Sequence, residues 1–95
     1  MIRVIAKNFT HKNKISELIS LLKELKNYAI EEKKCIKYEL FQDSDNETII
    51  TIISEWEKIN HLDEYHKSRY FIECVDKISE LIRKESEVNI YSVLE

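Results

Sequence analysis

The chain has 95 residues, one domain by length, of which 43% are hydrophobic and 35% charged. Its formal net charge of −3 is small and interspersed, which excludes the basic stripe that a nucleic-acid footprint needs. No apolar run approaches the roughly 20 residues that span a bilayer, and MIRVIAKNF at the N-terminus lacks the long apolar stretch of a signal peptide, so a cytoplasmic protein with no membrane partner is expected.

Residues 2–9, IRVIAKNF, alternate. Ile2, Val4, Ala6 and Asn8 fall on one face and Arg3, Ile5, Lys7 and Phe9 on the other, which predicts a strand. Asn8 thus shares a face with aliphatic side chains, either as a polar strand end bonded to local backbone or as the amide of a pocket. Thr10 to Asn13 predicts a loop, with Asn13 as the cap of the next helix. From there Ile15, Leu18, Ile19, Leu22, Leu25 and Ala29 recur at three- and four-residue steps, the apolar stripe of a helix running to about Glu32. Lys14, Glu17, Lys23, Glu24 and Lys26 form its solvated face. Lys33 and Lys34 close it, where cations favour the negative end of the helix dipole.

Cys35 to Phe41, CIKYELF, alternates again and is rich in strand formers. Ile36, Tyr38 and Leu40 are expected on one face. Residues 42–47, QDSDNE, predict a turn with Asp45 and Asn46 at the bend, and Thr48 to Trp56 the second strand of a hairpin. Ile49, Ile50, Ile52 and Ile53 make a nearly continuous apolar run, which implies that both faces are covered. One layer of helices in so short a chain covers one face; a second copy of the chain is the simplest cover for the other. A chain of this size buries only about 60–65% of its unfolded surface, and a homodimer adds to that burial.

Asn60 is expected to cap the second helical region, with Asp63 as its capping-box-like partner. Leu62, Tyr65, His66, Tyr70 and Phe71 crowd its first turns. Phe71, Cys74, Val75, Ile78, Leu81 and Ile82 continue a stripe to about Lys84. The aromatic cluster and that stripe fit one straight helix poorly, which predicts a bend near Ser68 and Arg69. Val88 to Leu94 predicts the last strand. The order strand–helix–strand–strand–helix–strand gives an α+β, ferredoxin-like βαββαβ domain over residues 1–95, with a four-stranded antiparallel sheet and helices on one face.

Cys35 and Cys74 are far apart and lack CxxC spacing, so they read as buried reduced thiols. Three histidines and two cysteines are scattered without ligand spacing, so no metal site is expected. The chain contains neither glycine nor proline. That excludes phosphate-cradling glycine loops and leaves positive-φ positions to Asn and Asp.

With this order placed, the chain resembles the antibiotic biosynthesis monooxygenase family of dimeric α/β barrels. The resemblance covers the whole chain. It is carried by C-I-x-Y-E-L at Cys35 to Leu40, the loop Asp43-Ser-Asp-Asn46, Glu55-Trp56, and L-x-x-Y-x-x-S-x-Y-F at Leu62 to Phe71. It implies a homodimer whose sheets pack face to face, with a pocket in each subunit between sheet and helices. It also implies either cofactor-independent oxygenation of phenols and quinols or haem degradation. The family often has histidine where Tyr65 and Tyr70 stand here. In the haem-degrading relatives a pocket Asn, a Trp and an iron-binding His recur. Asn8 matches the first, but Tyr65 and Val75 stand at the other two positions, so no haem and no other cofactor is expected.

A phenol or quinol that loses a proton becomes an electron-rich anion able to reduce O₂ directly. The protein then has to desolvate it, orient it and accept the proton. The candidate catalytic residues are Asn8, to hold a phenolic or carbonyl oxygen, and Tyr65 and His66, to relay the proton. Trp56, Tyr38, Tyr70 and Phe71 are candidate walls for a small aromatic substrate. The structural alternatives are Trp56 as a core anchor, Tyr65, Tyr70 and Phe71 as core or dimer contacts, and His66 as a surface residue like His11 and His61. Glu55 reads as structural, with Arg69 a candidate partner. Three functions follow: a cofactor-free oxygenase, a non-catalytic dimer binding a small hydrophobic ligand, or another activity on the same scaffold.

Overall fold

The computed structural model describes all 95 residues. Strand β1 (Ile2–Thr10) is followed by a 3-10 turn (Lys12–Lys14) and helix α1 (Ile15–Glu32). The hairpin β2 (Cys35–Gln42) and β3 (Ile49–Trp56) leads to helices α2 (Ile59–Lys67) and α3 (Arg69–Ser79) and to β4 (Ile82–Ser92). The four strands form one antiparallel sheet in the order β2-β3-β1-β4. This is the ferredoxin-like α+β arrangement that the element order predicts. No helix is long and apolar enough to cross a membrane.

The core lies between the sheet and the helices. Leu18, Leu22, Leu25 and Ala29 form the buried stripe of α1, as their spacing predicts. Along β3 burial alternates strictly, with Ile50, Ile52, Ser54 and Trp56 facing the helices. Ile49 and Ile53, on the other side, are half-buried. The continuous apolar run therefore resolves into two faces, one in the core and one on the outside of the sheet.

Several local expectations are corrected. Asn13 caps nothing: it lies inside the 3-10 turn, and α1 starts behind Lys14 without a side-chain cap. Asn60 likewise sits within the first turn of α2, whose N-cap Lys58 makes no capping bond. Ile36 does not share a face with Tyr38 and Leu40. The register skips from Cys35 opposite Trp56 to Lys37 opposite Glu55, so Ile36 is the extra residue of a bulge and is 52% exposed. The single positive-φ residue is Lys34, at 62°, not an Asn or Asp. It follows α1, where a left-handed residue commonly ends a helix. The last helix stops at Ser79 rather than near Lys84, and β4 begins at Ile82 rather than Val88. Thr10, fully buried, fixes that junction by donating its hydroxyl to the Leu81 carbonyl at 2.8 Å.

The expected bend is present as a break between α2 and α3. Ser68 leaves the helical region, at φ −67° and ψ 145°, and its side chain caps α3. Glu55 pairs with Arg3 at 2.9 Å, and Arg69 with Glu73 at 3.2 Å, so the candidate Glu55–Arg69 pair does not form. His11 is exposed, whereas His61 is half-buried with its Nδ1 enclosed and unbonded.

Candidate functional site

A cavity of about 300 Å³ opens between the sheet and the helices, at the small end of the roughly 300–1,000 Å³ of ligand sites. Its floor is the inward face of the two central strands, with Val4, Ala6 and Asn8 from β1 and Ile52 and Ser54 from β3. Its walls are Leu62, Tyr65 and His66 of α2 and Phe71, Val75 and Ile78 of α3, with Ser86 and Val88 contributed by β4. Val75 and Val88 are 41% and 52% exposed, which sets the mouth between α3 and β4.

Five of the seven residues singled out in the sequence meet here: Asn8, Tyr38, Tyr65, His66 and Phe71. Trp56 and Tyr70 lie outside the lining. Trp56 is fully buried behind Tyr65, their rings 5.1 Å apart. Tyr70 stacks on Tyr28 at 4.6 Å near the surface. Tyr65 and His66 both line the cavity from adjacent positions in the last turn of α2, just before the break at Ser68. Phe71, on the next helix, turns back onto both of them, at 4.7 and 4.9 Å between ring centres.

The titratable groups differ in what they can do. Burial pushes the Tyr38 phenol up to about 12. Burial, followed by the neighbouring Tyr38 hydroxyl, drives Tyr65 far above the ordinary phenol range. Both stay protonated at neutral pH, so neither is a base there. His66 moves the other way: loss of hydration lowers its pKa below 6.5, partly offset by Asp63. It is therefore a neutral imidazole, and neither ring nitrogen is tied up in a hydrogen bond to the protein. Burial also raises Cys35, to about 11, and Cys74, which marks both as unreactive thiols.

Asn8 is buried and its amide is oriented by two neighbours. Nδ2 donates to the Ile50 carbonyl at 3.4 Å, and Oδ1 accepts from the Ser86 hydroxyl at 2.8 Å. Sequence reading missed Ser54 and Ser86. Ser54 was legible in the alternation of β3, which puts it on the face of Ile50, Ile52 and Trp56. Ser86 was hidden by the misplaced start of β4 and by the two register shifts of that strand beside Asn8. Val75 lines the cavity with an aliphatic side chain.

Residues 1–77 match the family described as antibiotic biosynthesis monooxygenase. The chain is similar to a conserved protein from Methanosarcina mazei of known structure, at 38% identity and a TM-score of 0.89, covering 95% of this chain and 89% of that one. It is also similar to a solved antibiotic biosynthesis monooxygenase at 26% identity and a TM-score of 0.90, with 100% of each chain covered. An uncharacterised protein of Synechocystis is 29% identical over 93 residues; these cover 97% of this chain and 63% of the relative, so the chain spans less than two thirds of that relative's length.

Proposed function

The chain belongs to the antibiotic biosynthesis monooxygenase family, and from that membership we propose that it oxidises a small aromatic phenol or quinol with O₂, without a bound cofactor, in the cavity between sheet and helices. The observation that carries this reading is His66. A neutral imidazole with free nitrogens stands at the wall of an otherwise apolar cavity whose floor presents the Asn8 amide. The ring system enters between α3 and β4 and packs on Phe71 and Tyr65. Its hydroxyl gives a proton to His66, and the remaining Asn8 N–H holds a second oxygen of the ring system. The anion is electron-rich enough to pass an electron to O₂ itself, so the protein supplies desolvation, orientation and a proton acceptor. Tyr65 and Tyr38 donate hydrogen bonds but accept no proton.

Two copies of the chain pair through the outer face of the sheet in this reading. Ile5, Ile49 and Ile53 are half-buried there, and Phe41 and Tyr91 are 45% and 49% exposed on the same side.

The test is oxygen uptake by the purified protein with a panel of naphthoquinols and anthrone-like phenols, with no metal or flavin added. Saturable uptake that His66→Gln abolishes supports the oxygenase. A second reading, a dimer that holds a hydrophobic ligand without turnover, is favoured by Tyr65, a non-ionising phenol at a position where relatives often carry an imidazole. Ligand binding with no uptake for any substrate selects it.

A further inference from the structure

The cavity floor is apolar in the middle and polar at its two ends. Ala6 and Ile52 are register partners and form the middle. Ser54 lies at one end, opposite Val4, and Asn8 at the other, opposite Ile50. Both polar residues are more than nine-tenths buried, with 4% and 6% exposure. What each offers to a guest follows from counting its hydrogen bonds.

Trp56 has no exposure, and its indole N–H donates to Ser54 Oγ at 3.0 Å. An indole nitrogen is a donor only, so Ser54 must accept. The hydroxyl hydrogen of Ser54 meets no acceptor in the protein, because Ser54 Oγ takes part in no other hydrogen bond. At the other end the Ile50 carbonyl accepts only, which fixes Nδ2 of Asn8 on that side and turns Oδ1 to the Ser86 hydroxyl. An amide nitrogen carries two hydrogens, and the second has no protein partner. Each end of the floor therefore holds one unspent donor. An unpaired buried donor costs more than an unpaired lone pair, and a hydroxyl that already accepts a hydrogen bond donates more strongly.

We infer that Ser54 and Asn8 form a two-point donor set for a fused-ring ligand carrying an acceptor oxygen at each end, with Trp56 and Ser86 as the positioning residues that aim the donors. This rests on the reading of the cavity as a ligand site and adds the ligand's polarity and length. The two positions are four register steps apart, roughly 13 Å at the rise of a strand. Allowing about 3 Å for each hydrogen bond, the acceptor oxygens stand on the order of 7 Å apart, which is the reach of two fused rings with oxygens at opposite edges. Ketone, ether or phenolate oxygens satisfy both ends.

The double irregularity of β4 serves this geometry. Lys7 faces Glu87 and Phe9 faces Lys84, so two residues of β4, Glu85 and Ser86, stand against Asn8 alone. Such bulges re-aim a side chain, and here the redirected side chain is the hydroxyl that holds Asn8.

Calorimetric titration of the whole chain with three matched probes tests the inference. One is an acetylnaphthalene with a methoxy group at the far end, the second lacks the methoxy group, and the third is ethylnaphthalene, with no oxygen. Affinity is expected to fall about three- to tenfold with each oxygen removed, the range for one hydrogen bond. In Ser54→Ala and in Trp56→Phe, which keeps a buried ring but no N–H, the discrimination is expected to shrink by one such step while ethylnaphthalene binds as before. Ser86→Ala is expected to remove the other step and Ser86→Thr to restore it. A purely structural role for these residues weakens all three probes in proportion. Equal binding of the three probes by the unaltered protein overturns the donor set and leaves the cavity reading intact. Failure of all three to bind, ethylnaphthalene included, overturns both.

Discussion

The Ser68 hydroxyl donates to the Tyr65 carbonyl at 2.7 Å and so joins the end of one helix to the start of the next. The same oxygen accepts the Phe71 N–H at 3.3 Å. One side chain thus terminates α2, caps α3 and sets the angle at which Tyr65, His66 and Phe71 converge on the cavity. Ser68→Ala is expected to cost about 1 kcal/mol of stability, the usual worth of an N-cap, and to weaken ligand binding as the aromatic wall loosens. Ser68→Asp is expected to recover the stability, since a carboxylate still accepts from Phe71, but to recover binding poorly, since it cannot donate to Tyr65. Urea unfolding and probe titration of both variants check this.

His66 gives the protein a pH dependence whose sign is fixed by its burial. Its folded pKa lies below 6.5. Above that value both folded and unfolded chains carry a neutral imidazole, and His66 contributes no slope. As pH falls through 6.5 the unfolded chain takes up the proton first, so the folded state loses stability until its own lowered pKa is passed. His66→Gln is expected to flatten this part of the stability profile. In oxygen uptake the unaltered protein is expected to show an acid limb with an apparent pKa below 6.5, as a base that must be neutral requires. The absence of that limb removes His66 as the proton acceptor.

The two buried phenols make a complementary prediction. An alkaline titration followed by phenolate absorbance is expected to contain a transition near 12 that Tyr38→Phe removes. Tyr65→Phe is expected to remove no transition before the fold is lost, because Tyr65 is held protonated beyond that range. The Tyr65 ring packs between Trp56 at 5.1 Å and Phe71 at 4.7 Å, contacts that phenylalanine keeps. Turnover is therefore expected to drop far less in Tyr65→Phe than in His66→Gln.

A stabilising change is also readable. Lys34 holds φ at 62° behind α1, a conformation that costs a side chain with a Cβ roughly 1–2 kcal/mol. Lys34→Gly removes that strain but returns about 0.5–1 kcal/mol through the freer unfolded chain. The net gain expected is about 0.5–1 kcal/mol, with a smaller gain for Lys34→Asn. The shift of the urea midpoint measures it.

The parts of this fold legible in the sequence are those set by periodicity. The stripe of α1, the alternation of β1 and β2 and the crowding of aromatics around Ser68 each imposed one answer, and with them came Asn8, Tyr38, Tyr65, His66 and Phe71 at one cavity. What escaped was decided by tertiary register. Asn13 and Asn60 have the chemistry of caps, but the helices start one or two residues away from where that chemistry applies. Leu81 and Ile82 continue a helical spacing, yet pairing with β1 claims Ile82 for a strand because Thr10 reaches the Leu81 carbonyl. Ser54 and Ser86 matter through partners, Trp56 and Asn8, that only folding brings to them.

The outer face of the sheet supplies the last prediction. Ile53 and Ile5 are register partners on the side away from the helices, and both are half-buried in the isolated chain. If two sheets stack there, a two-fold axis repeats any substitution on both subunits. Ile53→Lys then places two charges in an apolar interface, at a cost of several kcal/mol for each unpaired ion. On a face that stays in water the same change falls within about 0.5 kcal/mol. The unaltered protein is expected to sediment as a dimer and Ile53→Lys as a monomer with the same circular dichroism. A monomeric unaltered protein at assay concentrations overturns the pairing. Because the cavity opens on the helix side, between α3 and β4, the monomeric variant is expected to keep its affinity for the aromatic probes, which separates the assembly of this protein from the chemistry of its site.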